Sequence, residues 1–508
     1  MRAPLALDEL KERIELFLLE RSHPLLSEPG HDVVDLAACS YSLGTQYDKL
    51  LWHVWNENTN LVRQITGIVS DRPGRLELRY QRFGKGPGGT LVLAESRASS
   101  GQLDRRTQRT QYVRRLRRWL QQLFPQWKVQ ELTTEPDLAR SFSGRYARGW
   151  IARGRQAWAV IGSGESEDSV RSDDILAYGL LWLDWLRGKQ SSHVVEGLRL
   201  FLPRETTETT RHRMAWLNPR AGKWELFETG FGAGEELQQR DPADLGNLKT
   251  SLARCVKPAL RSDAVARLAE EVTSANSEVE VRYAPDGSRT WSLRGLVLAR
   301  ETPKGIVFGL GRSETPLQRE NLEEFRASMY RIAAIRRPDT DDVTHPLYRV
   351  QPERWMQSLV CRNLEHLEPE LAAGMVYEQV PAISGTARGL LDLLTVNAQG
   401  RLAVLELKAT EDLQLPLQAL DYWMRVHWHN QRGELEREGY FTGRELSRQP
   451  PLLLLVSPAL QFHSACEAIL RYLSPEIEVL RVGLNQDWRR ELKVVFRESQ
   501  PQRRAAKG

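Results

Sequence analysis

Residues 389–408 read GLLDLLTVNAQGRLAVLELK, and this stretch decides the fold of the last third of the chain. Two apolar runs flank Asn397-Ala398-Gln399-Gly400, a turn sequence that folds them into a hairpin. Side chains alternate across a strand, so Glu406 and Lys408 project together while Leu405 and Leu407 project the other way into the core. Asp392 lies on the neighbouring strand and can face Glu406 across the hairpin. Downstream, a helix from about Pro416 carries Gln418 and Tyr422, four residues apart and so on one face. Beyond it, PLLLLVS (residues 451–457) reads as a fully buried strand. Upstream, a helix begins near Glu353, and MVYEQVPAI (residues 375–383) reads as a strand. The pattern predicts one α/β unit over residues 346–498.

Charges are expensive to bury unless they pair or coordinate. Two acids and a lysine among strongly apolar strands therefore point to a metal site. Two carboxylates and a backbone carbonyl make a hard oxygen site suited to Mg²⁺ or Mn²⁺. A metal held by Asp392 and Glu406 lowers the pKa of a bound water and neutralises charge on a scissile phosphate. Lys408 beside it can hold the attacking water and stabilise growing charge. The competing reading is a salt-bridge network in which Asp392 and Glu406 pair with Lys408 and Arg401.

The order Asp392, hairpin, Glu406-x-Lys408, then Gln418-x-x-x-Tyr422 resembles the PD-(D/E)xK nuclease superfamily, with its restriction-endonuclease-like fold. The resemblance covers about residues 353–458, and the Gln and Tyr place it in the RecB-type branch. The same stretch is similar to the C-terminal nuclease of NucS-type endonucleases. It implies that Asp392 and Glu406 bind metal, that Lys408 assists the nucleophilic water, and that Gln418 and Tyr422 support the site and contact nucleic acid. The proline that precedes the first Asp in the family is replaced here by Leu391. For the acidic residue of the first helix, Glu353 is the candidate and Glu365 the alternative. DNA rather than RNA as substrate is what the resemblance implies.

An earlier stretch echoes this unit. SGRYARGWIARGRQAWAVIGSGESEDSVRSDDILAYGLLWLDWLR, from Ser143, can be laid against the text from Ser384. Both open with Ser-Gly and Ala-Arg-Gly, pass Gly-Arg into an apolar strand, and reach a helix rich in Leu and Trp. LFPQWKVQEL stands where LEPELAAGMVYEQV stands later, and GLRLFLP matches PLLLLVSP. Laid this way, Gly162-Ser163-Gly164 falls on the Glu-x-Lys positions, and Trp-Ile-Ala falls where Asp392 is expected. The echo predicts a degenerate, catalytically dead nuclease-like domain over residues 101–230.

The remaining text supplies β-rich modules. Residues 1–100 predict a helix (8–20) followed by a small antiparallel sheet (33–95). A basic helix is predicted over 105–124, with Tyr112, Leu116, Trp119, Leu120 and Leu123 at helical spacing. Its arginines include Arg105, Arg106, Arg109, Arg114 and Arg118, a face that suits phosphates, although a plain solvated face has the same composition. Residues 230–247 read as a boundary loop and 248–273 as helical. They open a middle module, 231–345, that ends in strands and a helix over 317–335. Residues 336–352 read as a linker and 499–508 as a basic, disordered tail.

The whole chain is thus a multidomain α/β protein of 508 residues with 71 basic and 66 acidic side chains, a net charge of +5. That balance is compatible with a polyanion but does not require one. Fifteen tryptophans can stack on bases, though buried tryptophan is the commoner use. Cys39, Cys255, Cys361 and Cys466 lie far apart, which argues against a thiolate zinc site or a disulfide framework. No apolar run spans a membrane and no leader precedes the first helix, so a cytoplasmic location is expected. His427 and His429 are two apart on a helix and do not share a face. No phosphate-loop or nucleophile-elbow spacing occurs. The sequence therefore predicts a Mg²⁺- or Mn²⁺-dependent nuclease acting on nucleic acid. Its alternative is a weak or inactive binding scaffold of a repair or defence complex, working with a protein partner or motor.

Overall fold

Alternation in RLELRYQ (Arg75–Gln81) buries Leu76, Leu78 and Tyr80 and leaves Arg75, Arg79 and Gln81 exposed. The computed structural model describes residues 7–499 apart from 20–23, 29–33, 37–38, 47–48, 56–59, 73, 82–87, 96–98, 138–141, 143, 165–172, 191, 231–236, 244–249, 256–262, 285–286, 311–313, 372–374 and 385–386. It is a mixed α/β chain, with four sheets among the described residues. Contacts divide it into one unit up to residue 107 with 341–350, and a second of 108–340 with 351–508. No helix among the described residues is long and apolar enough to cross a membrane.

In the first unit, helix α1 (Leu7–Leu19) precedes strands β1 (Pro24–Ser27), β2 (Val34–Asp35), β3 (Ser40–Gln46), β4 (Lys49–Trp55), β5 (Asn60–Arg72), β6 (Arg75–Gln81) and β7 (Gly89–Glu95). The sheet is antiparallel in the order β2-β1-β7-β6-β5-β4-β3. Leu10, Ile14, Phe17 and Leu18 form the apolar stripe of α1 and join Trp52, Ile65 and Leu91 in one core.

The second unit begins within α2 (Ser99–Leu123). Strands β8 (Lys128–Thr133), β9 (Ala147–Arg153) and β10 (Gln156–Gly162) lead to α3 (Ile175–Lys189), then β11 (Val194–Pro203), α4 (Glu208–Met214), β12 (Lys223–Thr229) and β13 (Leu237–Arg240). The sheet order is β13-β12-β11-β10-β9-β8. Tyr112, Leu116, Trp119 and Leu120 of α2 pack against Ala147, Ile151, Trp158 and Val160 on one face of this sheet. Leu123, placed on the same stripe by its spacing, is instead exposed at the helix end. Helix α3 covers the opposite face with Leu176, Leu180 and Leu183.

The middle of the chain departs from its reading. Part of the loop expected over 230–247 is strand β13. Part of the helix expected over 248–273 is β14 (Thr250–Leu252), which pairs with residues 382–384 near the C-terminal site. Among the described residues of this stretch, the helix α5 spans Asp263–Ser274. Strands β15 (Val279–Tyr283), β16 (Arg289–Leu293), β17 (Leu296–Thr302), β18 (Gly305–Phe308) and β19 (Thr315–Pro316) form an antiparallel sheet, followed by α6 (Leu322–Ile335). The expected linker is anchored. Arg336 is fully buried, donates to the Arg294 carbonyl and lies 4.7 Å from the Trp355 ring.

The C-terminal sheet follows α7 (Pro352–Arg362). It contains β20 (Tyr377–Ser384), β21 (Ala387–Val396), β22 (Leu402–Leu407), β23 (Leu452–Pro458), β24 (Val479–Leu484) and β25 (Val494–Ser499), with α8 (Leu415–Gln431) and α9 (Cys466–Leu470) as crossovers. Its order is β14-β20-β21-β22-β23-β24-β25. Gly400 makes the hairpin turn possible, because it holds φ +79° and a Cβ there would lie 2.2 Å from the Glu445 carbonyl oxygen.

Strands β8–β13 and β20–β25 share one topology. In both, the successive pairings are antiparallel, antiparallel, parallel, parallel, antiparallel. Both place the long helix after the third strand and a short helix after the fourth. The two sheets share a core that includes Leu180 and Leu183 of α3 with Leu417 and Leu420 of α8. Leu217 and Leu473 bridge them: Asn218 N–H donates to Tyr472 O at 2.8 Å and Ser474 N–H to Trp216 O at 2.7 Å. Reciprocal bonding of this kind is what a two-fold relation between two copies produces. Side chains repeat the exchange, Asp421 of α8 pairing with Arg213 of α4, and Asp184 of α3 with Arg471 beside α9.

Candidate metal centre

Every residue of β22 is buried, because sheet neighbours flank it and α8 covers one face. Leu402 and Val404 join the core against α8, and period-two alternation puts Glu406 on that same face. The β21–β22 ladder runs to Leu393 opposite Leu405, so the next residues are Asp392 and Glu406. Here the Asp392 side chain takes over a backbone role: Leu407 N–H donates to its Oδ2 at 3.0 Å. Lys408 Nζ lies 3.8 Å from Glu406 Oε1 and 3.5 Å from Asp412 Oδ2. Glu353, in the first turn of α7, accepts from Ala409 N–H at 3.3 Å, which puts a third carboxylate at the end of β22.

Electrostatics tie these groups together. Burial, and then the charge of Asp392, hold the Glu406 carboxyl well above the usual carboxylate range. Burial also raises Asp392, opposed by the Leu407 N–H and by Lys408. Burial disfavours the Lys408 charge, but Glu406, Asp412 and Asp392 outweigh it and keep the ammonium protonated. The hydroxyl of Tyr422 on α8 is pushed up by burial and then by the charges of Glu406 and Asp392. Gln418, half-buried, lies one turn earlier on the same face.

The donor set fits a hard divalent cation. Glu406 is 4% exposed, and its buried Oε2 has no hydrogen-bond partner. A buried carboxylate oxygen left without a donor is costly, and a cation would satisfy it. Among the described residues, no group of three or more His, Cys, Asp or Glu side chains is placed to hold a metal ion. Two carboxylates are what Mg²⁺ commonly takes, since it retains several of its waters.

Arg401 takes no part in the pairing considered for it: it binds Glu478 at 2.7 Å and the Pro450 carbonyl at 2.8 Å. Glu365 is exposed in a helical turn, Leu364–Leu367. His427 stacks on Trp423, while His429 meets Thr250 and Glu434, so the two histidines diverge. On α2, Arg114 and Arg118 are exposed and Arg109 is half-buried; the side chains of Arg105 and Arg106 lie outside the described residues. Asp412 and Arg354, which act electrostatically on Lys408 and Asp392, were not singled out by sequence. Asp412 stands four residues after Lys408, a spacing that offered a clue, whereas Arg354 comes from a distant helix.

The earlier copy differs from its reading by one residue. Ser163 N–H donates to Phe201 O, two residues before Pro203; Lys408 N–H donates to Val456 O, two residues before Pro458. Ser163 therefore holds the place of Lys408 and Ile161 that of Glu406. Opposite Ile161 stands Arg148, in the place of Asp392. Gly162 and Gly164 face Tyr112 of α2, on the wrong side of the sheet to match Glu406 and Lys408. No protein-family model matches the chain, and no curated protein matches it.

Proposed function

We propose that the chain is a divalent-metal-dependent nuclease of the PD-(D/E)xK type that hydrolyses phosphodiester bonds in DNA. The buried Glu406 carboxylate, with an unpartnered oxygen beside Asp392 and Lys408, carries this reading. Asp392 and Glu406 would hold Mg²⁺ or Mn²⁺, which when bound supplies Lewis acidity at the phosphate and a water of lowered pKa. Lys408, kept cationic by its neighbours, orients the attacking water and balances charge developing on the phosphate. Glu353 and Asp412 fix the backbone and ammonium around it, and Tyr422 and Gln418 present polar groups from α8 toward the strand being cut. The six-stranded half is the copy that lost its chemistry, with Ile161 and Arg148 where acids are needed. Arg109, Arg114 and Arg118 of α2 would give that half a phosphate-facing surface, while the side chains of Arg105 and Arg106, expected on the same face from the sequence, lie outside the described residues.

The Lys408 ion pairs favour a second reading. Glu406 and Asp412 already engage the ammonium, so the cluster can persist as a salt-bridge network in a binding scaffold that works with a partner protein or motor. Incubation with plasmid, single-stranded DNA and RNA separates the two readings. Cutting that requires Mg²⁺ or Mn²⁺ and stops with EDTA supports the nuclease. No cutting of any substrate with either metal overturns it, and cutting that appears only with an added motor supports the second reading.

A further inference from the structure

A cavity of about 430 Å³ lies against the six-stranded sheet, within the roughly 300–1,000 Å³ range of ligand clefts. Its walls include Arg148, Trp182, Trp185, Lys189, Glu131 and Asp137. Its place in the fold is informative. Arg148 stands where Asp392 stands in the other half, and Trp182 is the eighth residue of α3 as Tyr422 is of α8. The cavity thus adjoins the counterpart of the candidate metal centre, sharing Arg148 and Trp182 with it. At that counterpart a cation and an isoleucine stand where the other half has two carboxylates, a pair that disfavours a metal.

The new lining is ordered. The Trp182 indole donates to the Gly149 carbonyl at 2.6 Å, and its ring stacks on Trp185 at 4.8 Å with 21° between planes. Arg148 is 7% exposed and lies over the Trp182 ring; one nitrogen donates to Glu135 O, while Nε and Nη1 have no partner. Lys189 is exposed and holds its ammonium 4.4 Å from the Trp185 ring centre. Aromatic faces accept any base by stacking. Carboxylates accept hydrogen bonds from exocyclic amines, and ammonium groups meet phosphate.

We propose that this cavity receives one unpaired nucleotide of a nucleic-acid strand. The base stacks on the tryptophan pair and displaces Lys189 toward the phosphate. Glu131 and Asp137 accept from its amino group, and Arg148 supplies positive charge at the floor. Adenine, guanine and cytosine carry such an amine and thymine does not, so the cavity discriminates against thymine. The proposal rests on the nucleic-acid reading of the chain.

The test uses the full chain in EDTA, with AMP, GMP, CMP and TMP as probes and tryptophan quenching and calorimetry as readouts. One equivalent of AMP, GMP or CMP binds more tightly than TMP, and binding persists in Asp392→Ala. Trp185→Ala weakens it about ten-fold or more, Trp185→Phe restores most of it, and the exposed Lys189→Ala also weakens it. No binding, equal binding of TMP, or indifference to both Trp185→Ala and Lys189→Ala overturns the proposal. Cleavage by the same preparation with Mn²⁺ reports on the other half. Protein that cuts but binds no nucleotide refutes the cavity alone; protein that binds nucleotides but does not cut refutes the nuclease alone.

Discussion

Glu406 is buried beside a second acid, and without a cation its charge has no donor on one oxygen. Its carboxyl therefore keeps its proton in the folded chain above the pH at which the unfolded chain loses it. Stability of the metal-free protein consequently falls as pH rises from the ordinary carboxylate range toward the raised value. Glu406→Gln removes that penalty. It is expected to stabilise the metal-free protein by about 1–3 kcal/mol at pH 8 and by less near pH 4, in urea titrations with EDTA. A variant less stable than wild type at pH 8 contradicts the burial argument. Divalent metal should release protons on binding, as calorimetry in buffers of different ionisation enthalpy would show. Asp392, Glu406 and Lys408 were legible because a strand fixes which residues share a face. Glu353 was legible as one of two candidates, and only the fold separates it from Glu365. Arg354 was hidden, since its effect on Asp392 depends on where α7 docks.

At the scale of elements, the two halves share their strand pairings but differ in hairpin length, so their texts do not align without a slip. Residues 154–155 join β9 to β10, whereas 397–401 join β21 to β22. Matching the Gly-Arg pairs would put Gly162 on Lys408, one residue off in one direction, and laying Gly162-Ser163-Gly164 on Glu-x-Lys is one residue off in the other; either slip exchanges the faces of a strand. Main-chain bonds to β11 and β23 give the true register, and no local pattern reports them. Gly149 tests the β8–β9 contact, because a Cβ there would lie 2.1 Å from the Glu131 carbonyl oxygen. Gly149→Ala should cost about 1–3 kcal/mol by overpacking and should disturb the neighbouring cavity while metal-dependent cleavage persists. Thermal unfolding and nucleotide binding of that variant check it; unchanged stability would mean the strands are not so close. Strand β14 was unreadable for a related reason, as its pairing partner lies over 130 residues later and nothing in Thr250–Leu252 marks it.

For the whole molecule, the consequence of a shared core is coupling between the two halves of the second unit. Trp216 packs edge-on to Trp423 at 4.7 Å, and Arg213 is buried against Asp421 at 2.7 Å. These contacts join residues about 200 apart, so the sequence could reveal the two similar texts but not that they embrace. Removing one partner of a buried ion pair typically costs about 3–5 kcal/mol. Arg213→Ala should lower stability by that order and speed amide exchange in both β10 and β22. Faster exchange in β10 alone would show that the halves open independently. In the proposed nuclease, one half would supply the acids and lysine for cutting, and the other the cavity for holding. The measurement that tests the central claim most directly is plasmid cleavage with Mn²⁺ by wild type, Asp392→Ala and Lys408→Ala at matched, folded concentrations. The account predicts cleavage by wild type and a loss of about 10²-fold or more in each variant; cleavage that survives both substitutions would contradict it.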